Sequence, residues 1–139
     1  ACLFFFWFSP WYYGNQAKIN ATKVYHANIV KYIFKELKKC NSGASTIMEG
    51  KLDCFSLTSE KTISTVFSVN KLDEYFELNR KNPYNNEAKI LRVSNSNVND
   101  EDVGFISLST SGSSVLIKTC FNTPCKKGEN RLQNTIEVK

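Results

Sequence analysis

The fold of this chain is decided by residues 103–120, which read VGFISLSTSGSSVLIKTC. Apolar and small polar residues alternate on both sides of a turn at Ser111-Gly112-Ser113, a pattern typical of two strands joined by a hairpin. We therefore expect strands over residues 103–109 and 114–120. The second strand ends on a cysteine, Cys120.

Further strands are predicted before this hairpin, because apolar residues recur with a period of two after Gly43. We expect them over residues 47–57, 62–69, 74–78 and 88–93, with turn-rich links at residues 82–86 and 95–102. Residues 126–139 are expected to form a polar C-terminal tail in which residues 135–138 add an edge strand.

One helix is predicted before these strands, with Asn20 or Thr22 as its N-cap and Gly43 after its end. Its lysines fall largely away from the apolar face, and we interpret them as a solvated face rather than as an RNA-binding surface. The expected apolar face consists of Val24, Ala27, Val30, Ile33 or Phe34, and Leu37. The lysines are Lys31, Lys35, Lys38 and Lys39.

One helix with five or six strands predicts the α+β class, with the helix packed on one face of a curved antiparallel sheet. The concave opposite face of the sheet is then the expected ligand site. The chain has 139 residues, 42% of them hydrophobic, so residues 1–139 are expected to form a single domain with one core. The formal net charge of +5 favours an acidic partner such as RNA, anionic lipid or an acidic protein, and is as often only a solvated surface.

Residues 1–10 open with the strongly apolar run ACLFFFWF. This run is too short to span a membrane and lacks the basic residues that begin a signal peptide. We interpret it as a buried first strand, and the remainder of a trimmed signal sequence is the alternative.

The five cysteines are Cys2, Cys40, Cys54, Cys120 and Cys125. None of them forms a Cys-x-x-Cys pair, and the single histidine, His26, is expected at the surface or packed on the helix, so no metal site and no cofactor are predicted. Disulfides of a secreted domain fit better. The sequence leaves the pairing open, and we expect Cys2 to bond Cys120 because that bridge would close a long loop and constrain the unfolded chain most.

Four segments occur in a recognisable order: WYYG at residues 11–14 before the helix, FSV at 67–69, YFE at 75–77, and the hairpin at 104–120. In this order and spacing they resemble the fungal guanyl-preferring extracellular ribonucleases, and more closely the non-catalytic ribonuclease-like effectors of powdery mildews. The resemblance implies a microbial ribonuclease-like fold.

The resemblance also implies a vestigial catalytic site. Glu77 falls at the general base, Lys89 at the phosphate-binding arginine, Phe55 and Leu57 near a tyrosine and a histidine, and Leu108 at the general-acid histidine. RNA transesterification needs a base on the 2′-hydroxyl and an acid on the leaving 5′-oxygen. Leucine cannot donate a proton, so the chain is expected to be a pseudo-ribonuclease and not an enzyme.

The function implied by the resemblance is that of a secreted fungal virulence effector, an avirulence protein acting as a monomer in the cytoplasm of a plant host. Its expected partners are host RNA, including ribosomal RNA, host proteins, and plant immune receptors of the nucleotide-binding leucine-rich-repeat class, with no membrane. Lys89 and Arg92 are expected to bind phosphates, and Tyr75 and Tyr84 to stack on bases. Two alternatives stay open: an active ribonuclease with a rearranged site, and a membrane-active toxin.

Overall fold

The α+β class is confirmed: two helices lie against a four-stranded sheet. The structure is a computed structural model that describes the backbone of residues 2–69, 71–73, 76–77 and 80–138, and the side chains of residues 14–69 and 80–138. The prediction of a single helix is wrong, since α1 spans Cys2–Asn41 and α2 spans Ser59–Ser68.

Helix α1 begins far earlier than predicted. The predicted strand within residues 1–10 is wrong, as is the predicted N-cap at Asn20 or Thr22. A short apolar run carries neither the helical nor the strand period, so periodicity cannot distinguish the two. Thr22 lies on the buried face of α1, and its hydroxyl donates to the carbonyl of Lys18 at 2.8 Å rather than accepting from a first-turn amide.

The buried face of α1 is rotated from the predicted one. Ile29 and Ile33 are completely buried, whereas Val24 is 53% and Phe34 is 57% exposed. The buried face also carries polar groups, including His26, which a search for apolar residues passes over. These polar groups weaken the hydrophobic signal on the side that packs, which explains the error.

The main sheet has the strand order β10-β9-β8-β7. These strands span Leu91–Val93 (β7), Ile106–Ser111 (β8), Ser114–Cys120 (β9) and Arg131–Glu137 (β10). The predicted hairpin is confirmed by the antiparallel pairing of β8 and β9, and the predicted edge strand is part of the longer β10, which pairs with β9. Strand β7 pairs in parallel with β8, so the sheet is not wholly antiparallel.

Shorter strands form three separate pairs. Strand β1 (Thr46–Ile47) pairs with β2 (Leu52–Asp53), β3 (Lys71–Asp73) with β4 (Phe76–Glu77), and β5 (Lys81–Asn82) with β6 (Asn85–Lys89). The predicted strand over residues 47–57 is broken at Met48 and Glu49, whose φ angles are 55° and 61°. A turn of 3-10 helix then covers Cys54–Ser56.

Helix α2 occupies the segment predicted as a strand over residues 62–69, so that prediction is wrong. Thr58 is its N-cap, and the Thr58 hydroxyl accepts a hydrogen bond of 3.1 Å from the amide of Lys61. The buried residues Thr62, Ile63 and Val66 recur at helical spacing. Serines and threonines interleaved with apolar residues fit the period of a strand as well as that of a helix, which explains the wrong prediction.

Both helices pack on one face of the main sheet. Ile33 of α1 and Val66 of α2 share a hydrophobic core with Leu108 of β8 and Ile117 of β9. Leu108 and Ile117 are register partners and are completely buried. The core therefore lies between the helices and this face, and the other face, which we call the open face, is polar.

The disulfides join Cys40 to Cys54 and Cys120 to Cys125. The predicted bridge from Cys2 to Cys120 is therefore wrong. A disulfide needs Cα atoms about 4.4–6.8 Å apart, and the turn after β9 places the Cα of Cys125 5.6 Å from that of Cys120. Local geometry decides the pairing, and loop-closure entropy does not. Two disulfides are typical of a protein that folds in an oxidising compartment.

Candidate nucleic-acid interface

The residues implied as a vestigial catalytic site lie on different elements and differ in burial. Leu108 is buried on β8 and Leu57 is buried after the 3-10 turn, while Phe55 on that turn is 91% exposed. Lys89 is exposed on β6, and the backbone of Glu77 belongs to β4. The side chain of Glu77 lies outside the described residues.

Leu108 lies on the helix side of the sheet. Its side chain is part of the core that α1 and α2 cover. Because successive side chains of a strand point to opposite faces, the neighbours Ser107 and Ser109 are the ones directed toward the open face. Any side chain at position 108 would therefore point away from a ligand bound on the open face.

A polar row crosses the open face through register partners on all four strands: Arg92, Ser107, Lys118 and Gln133. Arg92 was predicted to bind phosphate, but its guanidinium is held within the fold. Its Nε donates to Ser107 Oγ at 2.8 Å, and its Nη2 donates to Asp102 Oδ1 at 2.8 Å. The guanidinium carbon also lies 4.2 Å from the ring centroid of Phe105.

Asp102 is the acidic partner of Arg92. Burial raises the pKa of its carboxyl, but hydrogen bonds from Arg92, Ser96 and the amide of Asn99 outweigh burial and leave the pKa below its usual value. Arg92 and Asp102 therefore anchor the loop between β7 and β8, and this role occupies the arginine.

Of the other predicted RNA-binding residues, the structure describes Tyr84 and Lys89. The Tyr84 hydroxyl donates to the carbonyl of Phe121 at 2.7 Å, and its half-buried ring has a raised pKa because of burial. Lys89 is exposed beside Lys81, its register partner on β5. Tyr75 lies outside the described residues.

His26 is buried between α1 and the sheet. Its Nε2 donates to Asn134 Oδ1 at 2.6 Å, and its Nδ1 accepts from the Thr119 hydroxyl at 2.7 Å. Burial lowers the pKa of the imidazole, and the hydrogen bond with Asn134 only partly offsets this. His26 is thus a neutral histidine that joins α1 to β9 and β10, with both ring nitrogens engaged.

Lysines are most closely spaced near the C-terminal end of α1, where they line a groove. The groove measures about 410 Å³ and is lined by Lys35, Lys38, Lys39, Ser42 and Ala44. Lys31, one turn earlier, is also exposed. We call Lys31, Lys35, Lys38 and Lys39 the lysine row. Lys39 pairs with Glu36 at 2.6 Å, and in the side chains that are described the other three form no ion pair.

One exposed phenylalanine lies on α1 among the lysines, and another lies on the 3-10 turn that a disulfide ties to the end of α1. Phe34, 57% exposed, has Lys31 three positions before it and Lys38 four positions after it, and both are neighbouring positions on a helix. Phe55 is 91% exposed, which is unusual for so large an apolar side chain.

The position of Phe55 is set by covalent and hydrogen bonds. Its neighbour Cys54 is bonded to Cys40, with a Cα–Cα distance of 5.6 Å. The Cα of Phe55 therefore lies within about 9.4 Å of that of Cys40, at the C-terminal end of α1. The amide of Phe55 donates to Asp53 Oδ1 at 2.9 Å, which fixes the turn that presents the ring.

Sequence reasoning missed both phenylalanines as binding residues. For Phe34 a signal existed, because lysines surround it at positions three before, one after and four after. For Phe55 the sequence holds no such signal. The exposure of Phe55 depends on the 3-10 turn, and its location depends on Cys40, the disulfide partner of Cys54.

The chain was compared with models of protein families, with curated proteins and with solved structures, and nothing matches it. The resemblance to ribonuclease-like effectors therefore depends on its four short segments alone. Within the part of the chain that is described, no helix has the length and apolar character needed to cross a bilayer. Nor do His, Cys, Asp and Glu side chains gather there in a group of three or more that could hold a metal ion.

Proposed function

We propose that this chain is a secreted, non-catalytic protein that binds single-stranded RNA at the lysine row, with Phe34 and Phe55 as stacking platforms. The observation that carries the proposal is the exposed ring of Phe34 among Lys31, Lys35 and Lys38, which form no ion pair within the described side chains. The exposed ring of Phe55 belongs to a turn that the Cys40–Cys54 disulfide ties to the end of the same helix. Sequence-tolerant binding of single strands uses this same combination of charge along the backbone and aromatic rings under the bases.

Unpaired bases are the appropriate ligand for these rings. In duplex RNA the bases are stacked on one another and inaccessible to a protruding phenylalanine, whereas single strands can splay their bases onto aromatic side chains. The lysines then neutralise phosphates and release counterions, so the affinity should fall as salt rises.

The placement of Leu108 and His26 supports binding without cleavage. Leu108 is buried among core residues, and both nitrogens of His26 are engaged in hydrogen bonds within the fold. Neither residue can donate a proton to a leaving 5′-oxygen, which is the step that ribonuclease chemistry requires.

The biological setting of the proposal is the one that the resemblance implies. The chain would act as a fungal virulence effector in the cytoplasm of a plant host, with host RNA or host proteins as targets and a nucleotide-binding leucine-rich-repeat receptor as the detecting partner. Two disulfides suit the secretion that this role requires.

The test measures binding of a labelled single-stranded RNA by fluorescence anisotropy, with the integrity of the RNA checked on a gel. The double variant Lys35→Gln/Lys38→Gln is compared with Lys81→Gln/Lys89→Gln, which removes the same charge from the β5–β6 hairpin. We expect intact RNA, weaker binding by the first variant, and unchanged binding by the second. Stronger loss in the hairpin variant would contradict the proposed surface, and shortened RNA that disappears in Glu77→Gln would contradict the absence of catalysis.

A further inference from the structure

A second groove, which shares no lining residue with the lysine row, lies between α2 and β7 at the edge of the main sheet. It measures about 460 Å³ and is lined by Glu60, Ile63 and Ser64 of α2, by residues 93–95, and by the end of β8. Strand β7 is the terminal strand of the order β10-β9-β8-β7. Among the described strands only β8 pairs with β7, so the groove borders an edge of the sheet as described.

The backbone at this edge has hydrogen-bonding groups to offer. In the parallel pairing with β8, Ile106 N–H donates to the carbonyl of Ile90 and Ser94 N–H donates to that of Leu108. Bonds to the neighbouring strand alternate along a parallel strand, so the N–H and C=O of Val93 point away from β8. For these two groups the described residues supply no partner, and the Val93 side chain is 67% exposed.

The groove also carries an unneutralised negative charge. Among the described side chains the ion pairs are Lys39–Glu36 and Arg92–Asp102, so the carboxylate of Glu60 has no basic partner. Glu60 and Val93 thus present a charge and an exposed aliphatic side chain beside the open backbone of β7, and the largely buried Ile63 lines the groove between them.

We propose that this groove binds an extended peptide of a partner protein, which adds a strand beside β7. The peptide backbone would pair with the N–H and C=O of Val93, an aliphatic side chain would pack on Ile63, and a lysine or arginine would lie against Glu60. Strand addition to a sheet edge is a recurrent mode of peptide recognition in which the main chain supplies affinity and alternate side chains supply specificity.

Charge favours a basic peptide over a second copy of this chain. The one basic residue within β7 of a second copy would be Arg92, which is already paired with Asp102 and is not available to Glu60.

The test is an NMR titration of the ¹⁵N-labelled protein with an eight-residue peptide of alternating valine and lysine. We expect amide shifts at residues 60–64 and 93–95, and their loss in Val93→Pro, which removes the outward N–H that would pair with the peptide. Glu60→Lys should weaken binding about tenfold, while Glu129→Lys, the same charge reversal on the 3-10 turn before β10, should leave it unchanged.

Three results would overturn the proposal. The first is the absence of shifts at about 1 mM peptide, a concentration at which even a millimolar Kd would give half-saturation. The second is shifts that persist in Val93→Pro, which would place the peptide elsewhere. The third is movement of the same amides on dilution of the protein alone, which would make a second copy the occupant. None of these results depends on RNA binding, since the lysine row is unchanged in every variant.

Discussion

Replacement of Phe55 by alanine tests the RNA surface most directly, because the side chain is 91% exposed and so contributes little to the core. Surface substitutions of this kind usually change the free energy of unfolding by less than about 0.5 kcal/mol. The disulfide of Cys54 and the hydrogen bond to Asp53 involve no atom of the Phe55 side chain. A loss of RNA binding in Phe55→Ala would therefore report a lost contact and not a lost fold.

The size of the expected loss follows from stacking. A base stacked on an aromatic side chain contributes about 1–3 kcal/mol, so Phe55→Ala should raise the Kd by roughly 5- to 150-fold. The salt dependence should stay the same. Lys31, Lys35 and Lys38, which form no ion pair among the described side chains, predict a slope of log K against log salt of about −2 for single strands.

The assay is fluorescence anisotropy of a labelled uridine-rich oligonucleotide at several salt concentrations, with circular dichroism to confirm that each variant is folded. Phe67→Ala makes the same chemical change at a 36% exposed phenylalanine on α2 and serves as the control. Wild-type affinity in Phe55→Ala, or an equal loss in Phe67→Ala, would refute the reasoning. A change in the salt slope without a change in affinity would do the same.

Three further substitutions or conditions test the core and the buried polar groups. Leu108→His should not make the protein cleave RNA, which a labelled-RNA gel would show. Because the imidazole would enter the core, the substitution should also lower the free energy of unfolding by about 2 kcal/mol or more, which urea unfolding measures. Gly104→Ala should also lower the free energy of unfolding by about 2 kcal/mol, since Gly104 has a φ of +83° and a Cβ there would lie 1.9 Å from Asn82 Oδ1. Thermal unfolding measures this loss. Stability should fall as the pH drops below about 6.5, the pKa of an unfolded histidine, because unfolded His26 binds a proton that the buried imidazole with its lowered pKa does not. In His26→Gln this pH dependence should flatten, as urea unfolding at several pH values would show.

The β8–β9 hairpin was predictable because its signals are local. Alternation marks β8, β9 is rich in β-branched residues, and Gly112, with a φ of 59°, occupies the turn where a left-handed conformation is needed. The exposure of the lysines on α1 was predictable for the same reason, since helical spacing alone separates them from the buried side.

Helix α2 was not predictable from periodicity. Its serines and threonines fit a strand or a helix equally well, and the helix is selected by the Thr58 cap and by burial of Ile63 and Val66 in the common core. The face of α1 was misjudged because His26 is buried with partners on β9 and β10, residues about a hundred positions away. A polar side chain is accepted in a core only when such partners are present, and the local sequence does not contain them.

Local pattern thus determined the α+β class, the closing hairpin and the basic side of α1. The tertiary structure decided which side of the sheet Leu108 faces, which cysteines pair, and where Phe55 is displayed. A shift of one residue in register moves a side chain to the other face of a sheet, so a match between short segments could not place Leu108. Cys54 meets Cys40 because β1 and β2 turn the chain back toward the end of α1, and that contact holds Phe55 at the end of this helix.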